Sequence, residues 1–273
     1  MSGRRPFLLF TAVAFGYAFL YLPIITLMIY SFNDSRLVTV WGGFSTRWYV
    51  ELFRNEQILS ALWLSVRIAA MNATFAVVLG TLAALTLVRF TQFRTRMLFA
   101  GMVTAPLVMP EVILGLSALL MFVSLEQLIG WPEGRGMTTI TIAHITFTTA
   151  YVAVVVQSRL SQLDGSLEEA AMDLGARPWK VFLVIILPII SPALIAGWLL
   201  GFTLSMDDLV IASFVSGPGS TTLPMVVYSS VRLGVSPQVN ALATLIVVVV
   251  STGVIIAGWL LHRQQRRHTG KPR

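Results

Sequence analysis

Cysteine is absent from these 273 residues, which excludes disulfides and thiolate metal sites alike. Histidine is scarce: His144, His262 and His268 are too scattered for a metal cluster, and the last two fall in a basic tail. Neither a metal nor a cofactor is expected. Charge is thin as well, at 11% of residues against 56% hydrophobic, with a mean hydropathy of +0.81. A water-soluble globule of this length does not carry so much apolar surface, so the chain reads as an integral membrane protein. No glycine-rich loop ending in Gly-Lys-Ser/Thr occurs, which removes the usual cradle for a nucleotide. Internal repeats and low-complexity linkers are missing too, and one domain is expected.

Long apolar runs are present in their place. Blocks able to cross a hydrocarbon core of about 30 Å lie near 7–32, 60–88, 97–122, 138–158, 185–214 and 238–261. The expected fold is all-α, with six transmembrane helices. The first block follows Arg4 and Arg5, but it is longer than a signal-peptide core and lacks a small-residue cleavage site, so it reads as a retained helix. With both termini inside, the cytoplasmic segments collect Arg4, Arg5, Arg89, Arg94, Arg96, Arg159, Arg177, Lys180, Arg263, Arg266, Arg267, Lys271 and Arg273. The outer loops keep Arg36, Arg47, Arg54, Arg135 and Arg232. The formal charge of +7 is spread over loop ends, with no soluble basic domain to grip nucleic acid, so none is expected as a partner.

The joint between the fourth and fifth blocks is unlike an ordinary loop. Ser166 stands where an N-cap would, with Glu169 at the third helical position, and Glu168 and Glu169 suit the positive end of a helix dipole. Gly175 stands where a left-handed C-cap would end the turn. Leu167, Ala170, Ala171 and Leu174 recur at helical spacing, a narrow apolar stripe fit for a groove in another protein. A helix lying on lipid headgroups usually has a Lys/Arg-rich polar face, whereas this one has Glu168, Glu169 and Asp173.

Glu169-Ala170-Ala171, Gly175, Ile185, Leu187 and Pro188, at this spacing, resemble the cytoplasmic signature of permease subunits of bacterial ABC importers. Trp41 to Tyr49, Met109-Pro110-Glu111 and Phe202 to Asp208 are similar to the spermidine/putrescine branch. The resemblance implies that Ser166 to Gly175 is a coupling helix between the fourth and fifth transmembrane helices, seated in a cleft of a separate ATPase subunit. It further implies an ATP-binding cassette ATPase dimer, a homologous second permease in a heterodimer, and a periplasmic polyamine-binding protein. On this view residues 1–58 form an N-terminal helix and first periplasmic loop, 59–261 the permease domain in the membrane lipid, and 262–273 a basic cytoplasmic tail. The expected location is the bacterial inner membrane. The expected role is transport of putrescine or spermidine inward, not catalysis.

Substrate chemistry is expected at buried acids. Glu111 falls about fourteen residues into the third block, near mid-membrane at roughly 1.5 Å per residue, and Asp207 and Asp208 fall in the middle to outer half of the fifth. An ionised acid at a helix centre costs about 2.5–3.5 kcal/mol on insertion scales, and a bound cation would compensate. Pro106 and Pro110 interrupt the third block, and Pro188 and Pro192 begin the fifth, freeing carbonyls as pathway-lining helices do. The resemblance implies that Glu111 holds an acidic position of polyamine permeases, and that Trp48 lies near the outer mouth, where its face can hold an alkylammonium; an aromatic-belt role suits Trp48 equally. Asp207 and Asp208 point about 100° apart, so at most one faces the pathway squarely while the other bonds backbone or a partner. Arg67 either pairs with an acid or snorkels to the interface. Two other classes compete: an ATP-independent cation carrier or channel, which leaves the Glu169–Pro188 pattern without purpose, and a serine hydrolase using Ser117 and His144.

Overall fold

The computed structural model describes residues 4–37, 40–90, 92–233 and 236–269. Of the expected basic tail, Lys271 and Arg273 lie outside the described residues, as do the side chains of His262, Arg263, Arg266, Arg267 and His268. Among the described residues six helices are long and apolar enough to cross a membrane, and a helix meets the demand that a backbone in lipid satisfy its polar groups within the segment.

The chain forms two compact units, Met1–Leu59 with Val227–Arg273, and Ser60–Val226. In the first unit, α1 (Arg4–Tyr30) leads through an irregular loop to α2 (Arg47–Arg54) and the opening turn of α3 (Glu56–Arg89). The end of α11 (Leu223–Leu233) leads to α12 (Pro237–Thr269), which packs on α1 and α2. The Asn55 amide donates to Gln238 Oε1 at 2.9 Å and the Gln238 amide to Glu51 Oε2 at 3.2 Å, fixing the α2 side of that contact.

The second unit carries most of α3 and then α4 (Arg96–Val108), α5 (Glu111–Ile129), α6 (Met137–Leu160), α7 (Ser166–Asp173), α8 (Pro178–Val181), a π-helical turn at Phe182–Ile186, α9 (Leu187–Asp207) and α10 (Val210–Val215). Small residues let three long helices meet closely. A Cβ on Gly80 of α3 would lie 2.9 Å from Val152 of α6, and one on Gly197 of α9 would lie 3.2 Å from the same side chain. Where backbones approach so nearly, polar groups can bridge them. Buried Asn72 of α3 donates to the Gly201 carbonyl of α9 at 2.9 Å and accepts from Thr148 of α6 at 2.7 Å. One apolar core, built on Val152, Val156, Leu160, Ile186 and Ile190, joins α3, α6 and the start of α9; a second, built on Ile68, Phe122, Phe147, Ile211 and Val215, surrounds α10.

The third expected span is not continuous. Pro110 has no N–H to donate and drives Met109 into an extended conformation (ψ 136°), so α4 ends and α5 begins anew at Glu111. Pro106, by contrast, is carried inside α4. Glu111 therefore opens a 19-residue spanning helix and does not occupy the middle of one.

Candidate functional site

The joint at α7 is built as a short, doubly fixed helix, though its first cap differs from the sequence expectation. Gly165, not Ser166, holds the N-cap position, and Ser166 is already helical with no capping side-chain bond. The reciprocal Ser166–Glu169 cap is thus replaced by Asp164, whose Oδ1 accepts the Ser166 N–H at 3.0 Å. That backbone bond, with help from the Ser166 hydroxyl, holds the Asp164 carboxyl below its ordinary range. At the far end Gly175 adopts φ +84°, its N–H reaches the Met172 carbonyl (2.8 Å), and the Ala176 N–H reaches Ala171 (3.0 Å). Those two bonds close the left-handed cap that the sequence led one to expect.

The chain on either side of α7 is anchored by Leu160, Leu163, Phe182 and Ile186, which pack into the core shared by α3, α6 and α9. Its own apolar stripe is bare. Leu167 is 49% exposed and Leu174 90%; Glu169 and Ala170 are exposed, and Ala171 is half-buried. Glu168, on another face, is ion-paired with Arg89 at the end of α3.

The two adjacent acids of the fifth span take opposite positions. Asp207, the last residue of α9, is exposed and makes no ion pair and no side-chain hydrogen bond to another residue among the described residues. Asp208 is buried, at 8% exposure, and is committed to structure. Its Oδ2 accepts the Ala212 N–H at 2.7 Å and its Oδ1 the Ile211 N–H at 3.3 Å, so it caps α10 across the break between the helices. His144 Nε2 lies 3.1 Å from Asp208 Oδ2, and Nδ1 lies 2.7 Å from Ser205 Oγ. A carboxylate only accepts, so Nε2 carries the proton of the Asp208 bond, while Nδ1 and the Ser205 hydroxyl share the other. With three donors on it, Asp208 is not available as a pathway carboxylate. The geometry corrects that expectation.

Trp48 is corrected in the same way. Its ring is 4% exposed, its Nε1–H donates to the Asn33 carbonyl at 2.6 Å, and the Arg47 guanidinium covers it at 4.2 Å from the centroid. Asn33 in turn ties the loop together by accepting the Gly42 N–H (2.8 Å) and donating to the Val40 carbonyl (2.7 Å). Trp48 is a pillar of this loop whose cation-binding face is already taken by a cation of its own chain.

Glu111 and Arg67 are both exposed and make no ion pair among the described residues. Ser117 lines a cleft with Ala143 and Phe147. Both His144 nitrogens are occupied by Ser205 and Asp208, so the Ser117–His144 dyad does not form. The sequence reading had missed Ser205 and Asn72 and the structural use of His144; a signal was there, since polar residues inside apolar helices need partners.

The family described as "Binding-protein-dependent transport system inner membrane component" matches residues 76–269. The chain is 64% identical over 252 residues to the putrescine transport system permease protein PotI of Escherichia coli (strain K12), covering 92% of this chain and 90% of the relative. It is 43% identical over 251 residues to the spermidine/putrescine transport system permease protein PotC of the same strain, covering 92% of each. Among solved structures, a chain of a bacterial ABC transporter involved in the import of the acidic polysaccharide alginate shares the fold at a TM-score of 0.71. The sequences are 17% identical, and the match covers 96% of this chain and 98% of that one.

Proposed function

Since the chain belongs to the family of binding-protein-dependent transport system inner membrane components, we propose that it is a transmembrane subunit of an ATP-driven importer for a polyamine, putrescine or spermidine. The observation that carries this reading is the bare apolar stripe of α7, held on a helix fixed at both ends, in a chain that has no nucleotide-binding loop of its own. Such a surface suits a groove in a partner. The partner is an ATPase dimer on the cytoplasmic face, where the Lys/Arg asymmetry of the sequence puts α7 and both termini.

The polyamine assignment rests on the similarity to the putrescine and spermidine/putrescine permeases and on chemistry. Asp207 and Glu111 are exposed carboxylates with no internal counter-charge among the described residues. In a membrane such groups call for a cation, and an ammonium group supplies both charge and N–H donors. Delivery falls to a periplasmic binding protein, and a second, homologous permease completes the pathway. Closure of the ATPase pair displaces α7, and the displacement passes through α8 into α9, which ends at Asp207.

The test is reconstitution of the assembled transporter in liposomes, with putrescine and spermidine uptake and polyamine-stimulated ATP hydrolysis measured for Asp207→Asn and Glu111→Gln. A large but measurable reduction of uptake with retained basal hydrolysis is expected. Unchanged uptake in both variants removes the proposed cation path, and uptake without any bound ATPase removes the ATP-driven mechanism.

A further inference from the structure

We infer that His144 is a positioning residue for the transport carboxylate Asp207, acting through its neighbour Asp208; this rests on the polyamine reading above. Asp207 ends α9, Asp208 is extended (φ −67°, ψ 123°), and α10 starts two residues later. A six-residue helix such as α10 has little stability of its own. Its first turn is held by the Asp208 carboxylate on the Ile211 and Ala212 amides. Asp208 is in turn held by His144, which comes from α6 and is fully buried.

The imidazole spans two elements at once. Nδ1 bonds Ser205, in the last turn of α9, and Nε2 bonds Asp208, in the break beyond it. One rigid ring thereby sets how far the break stands from the helix end. Its own backbone is braced as well, because the Thr148 hydroxyl lies 2.7 Å from both the His144 carbonyl and Asn72 Oδ1 of α3 and shares its one proton between them. With Asp208 drawn inward by three donors, Asp207 is the acid left exposed to meet an ammonium group. Release of the ring frees a second carboxylate beside the first and unpins the backbone that presents Asp207.

The experiment uses the assembled transporter in liposomes with putrescine as the probe. His144→Leu, Asp207→Asn and the double variant are compared for uptake rate at matched basal ATP hydrolysis, which reports intact assembly. His144→Leu is expected to lower uptake about tenfold when Asp207 is present and less than about twofold in the Asp207→Asn background. His144→Gln, which keeps a hydrogen-bonding donor and acceptor, is expected to recover part of the rate. It also carries the test if the leucine variant does not assemble. In this naturally cysteine-free chain, Asp207→Cys reports the presentation of position 207 directly, and adding His144→Leu or His144→Gln is expected to change its labelling by a charged thiol reagent several-fold. Equal losses in the two Asp207 backgrounds with unaltered labelling overturn the positioning role while leaving the polyamine reading standing. An Asp207→Asn variant with normal uptake overturns both.

Discussion

The guanidinium of Arg89, in the last turn of α3, is ion-paired with the carboxylate of Glu168, in the first turn of α7. Both groups gain from their helices as well as from each other, since a cation suits a helix C-terminus and an anion an N-terminus. The Arg89 Nε is buried without a partner among the described residues, and the Glu168 carboxylate is the charge set against the guanidinium. It makes α3 a second point of attachment for α7, beside the peptide chain into α8.

Reversal of either charge is therefore expected to weaken coupling. Arg89→Glu and Glu168→Arg should each cut ATP-dependent uptake by roughly threefold to tenfold, and the double reversal should recover much of it. Uptake per ATP hydrolysed is the measurement. Additive losses in the double variant would leave the pair with no role in force transfer.

Gly175 has open space around the position a Cβ would take, so its constraint is purely conformational. A non-glycine residue at φ +84° costs about 1–2 kcal/mol, and asparagine bears this better than alanine. ATPase retained on affinity-purified complex should fall for Gly175→Ala and less for Gly175→Asn. Equal retention in wild type and the alanine variant contradicts the cap.

Gly217 is constrained by space. A Cβ there would lie 2.1 Å from the Arg135 carbonyl oxygen, a backbone atom that cannot swing aside. Gly217→Ala should destabilise the packing of the α5–α6 loop against the end of α10 by about 1–3 kcal/mol. Gly136→Ala, extended and in open space, is the control. Thermal unfolding in detergent compares the two, and equal midpoints would refute the clash.

Asp164 supplies the pH-dependent element. Its folded carboxyl lies below the ordinary value of 3.8, so its contribution to α7 is complete above that value and is lost as pH falls through the lower folded one. At neutral pH the cap is fully formed. Amide exchange at Ser166 should accelerate in Asp164→Ala and remain close to wild type in Asp164→Asn, which keeps an acceptor. A pH-independent Ser166 exchange ratio between wild type and Asp164→Ala down to about pH 3 would exclude the titration.

Much of the fold was legible because lipid leaves few options: apolar runs of sufficient length become helices, and the blocks near 60–88 and 138–158 reappear inside α3 and α6. The break before Glu111 was half-visible. Proline announces an interruption, but hydropathy alone did not reveal that Pro106 is tolerated while Pro110 starts a new helix. At α7 the glycine end was readable, since a positive φ is a strong local demand, whereas the serine end was off by one residue, the usual scale of ambiguity at helix starts. Which of Asp207 and Asp208 turns inward could not be read locally. The deciding partner, His144, stands 64 residues away from Asp208 in sequence. Trp48 was hidden for the same reason, its hydrogen-bond acceptor lying 15 residues upstream.

Between the last residue of α7 and the first of α8 the chain has only Leu174, Gly175, Ala176 and Arg177, and the closing bonds at Ala171 and Met172 already take up two of their amides. A linkage so short has no slack. On the proposed coupling, a push on the stripe reaches Pro178 through those four residues alone, ahead of the membrane helices.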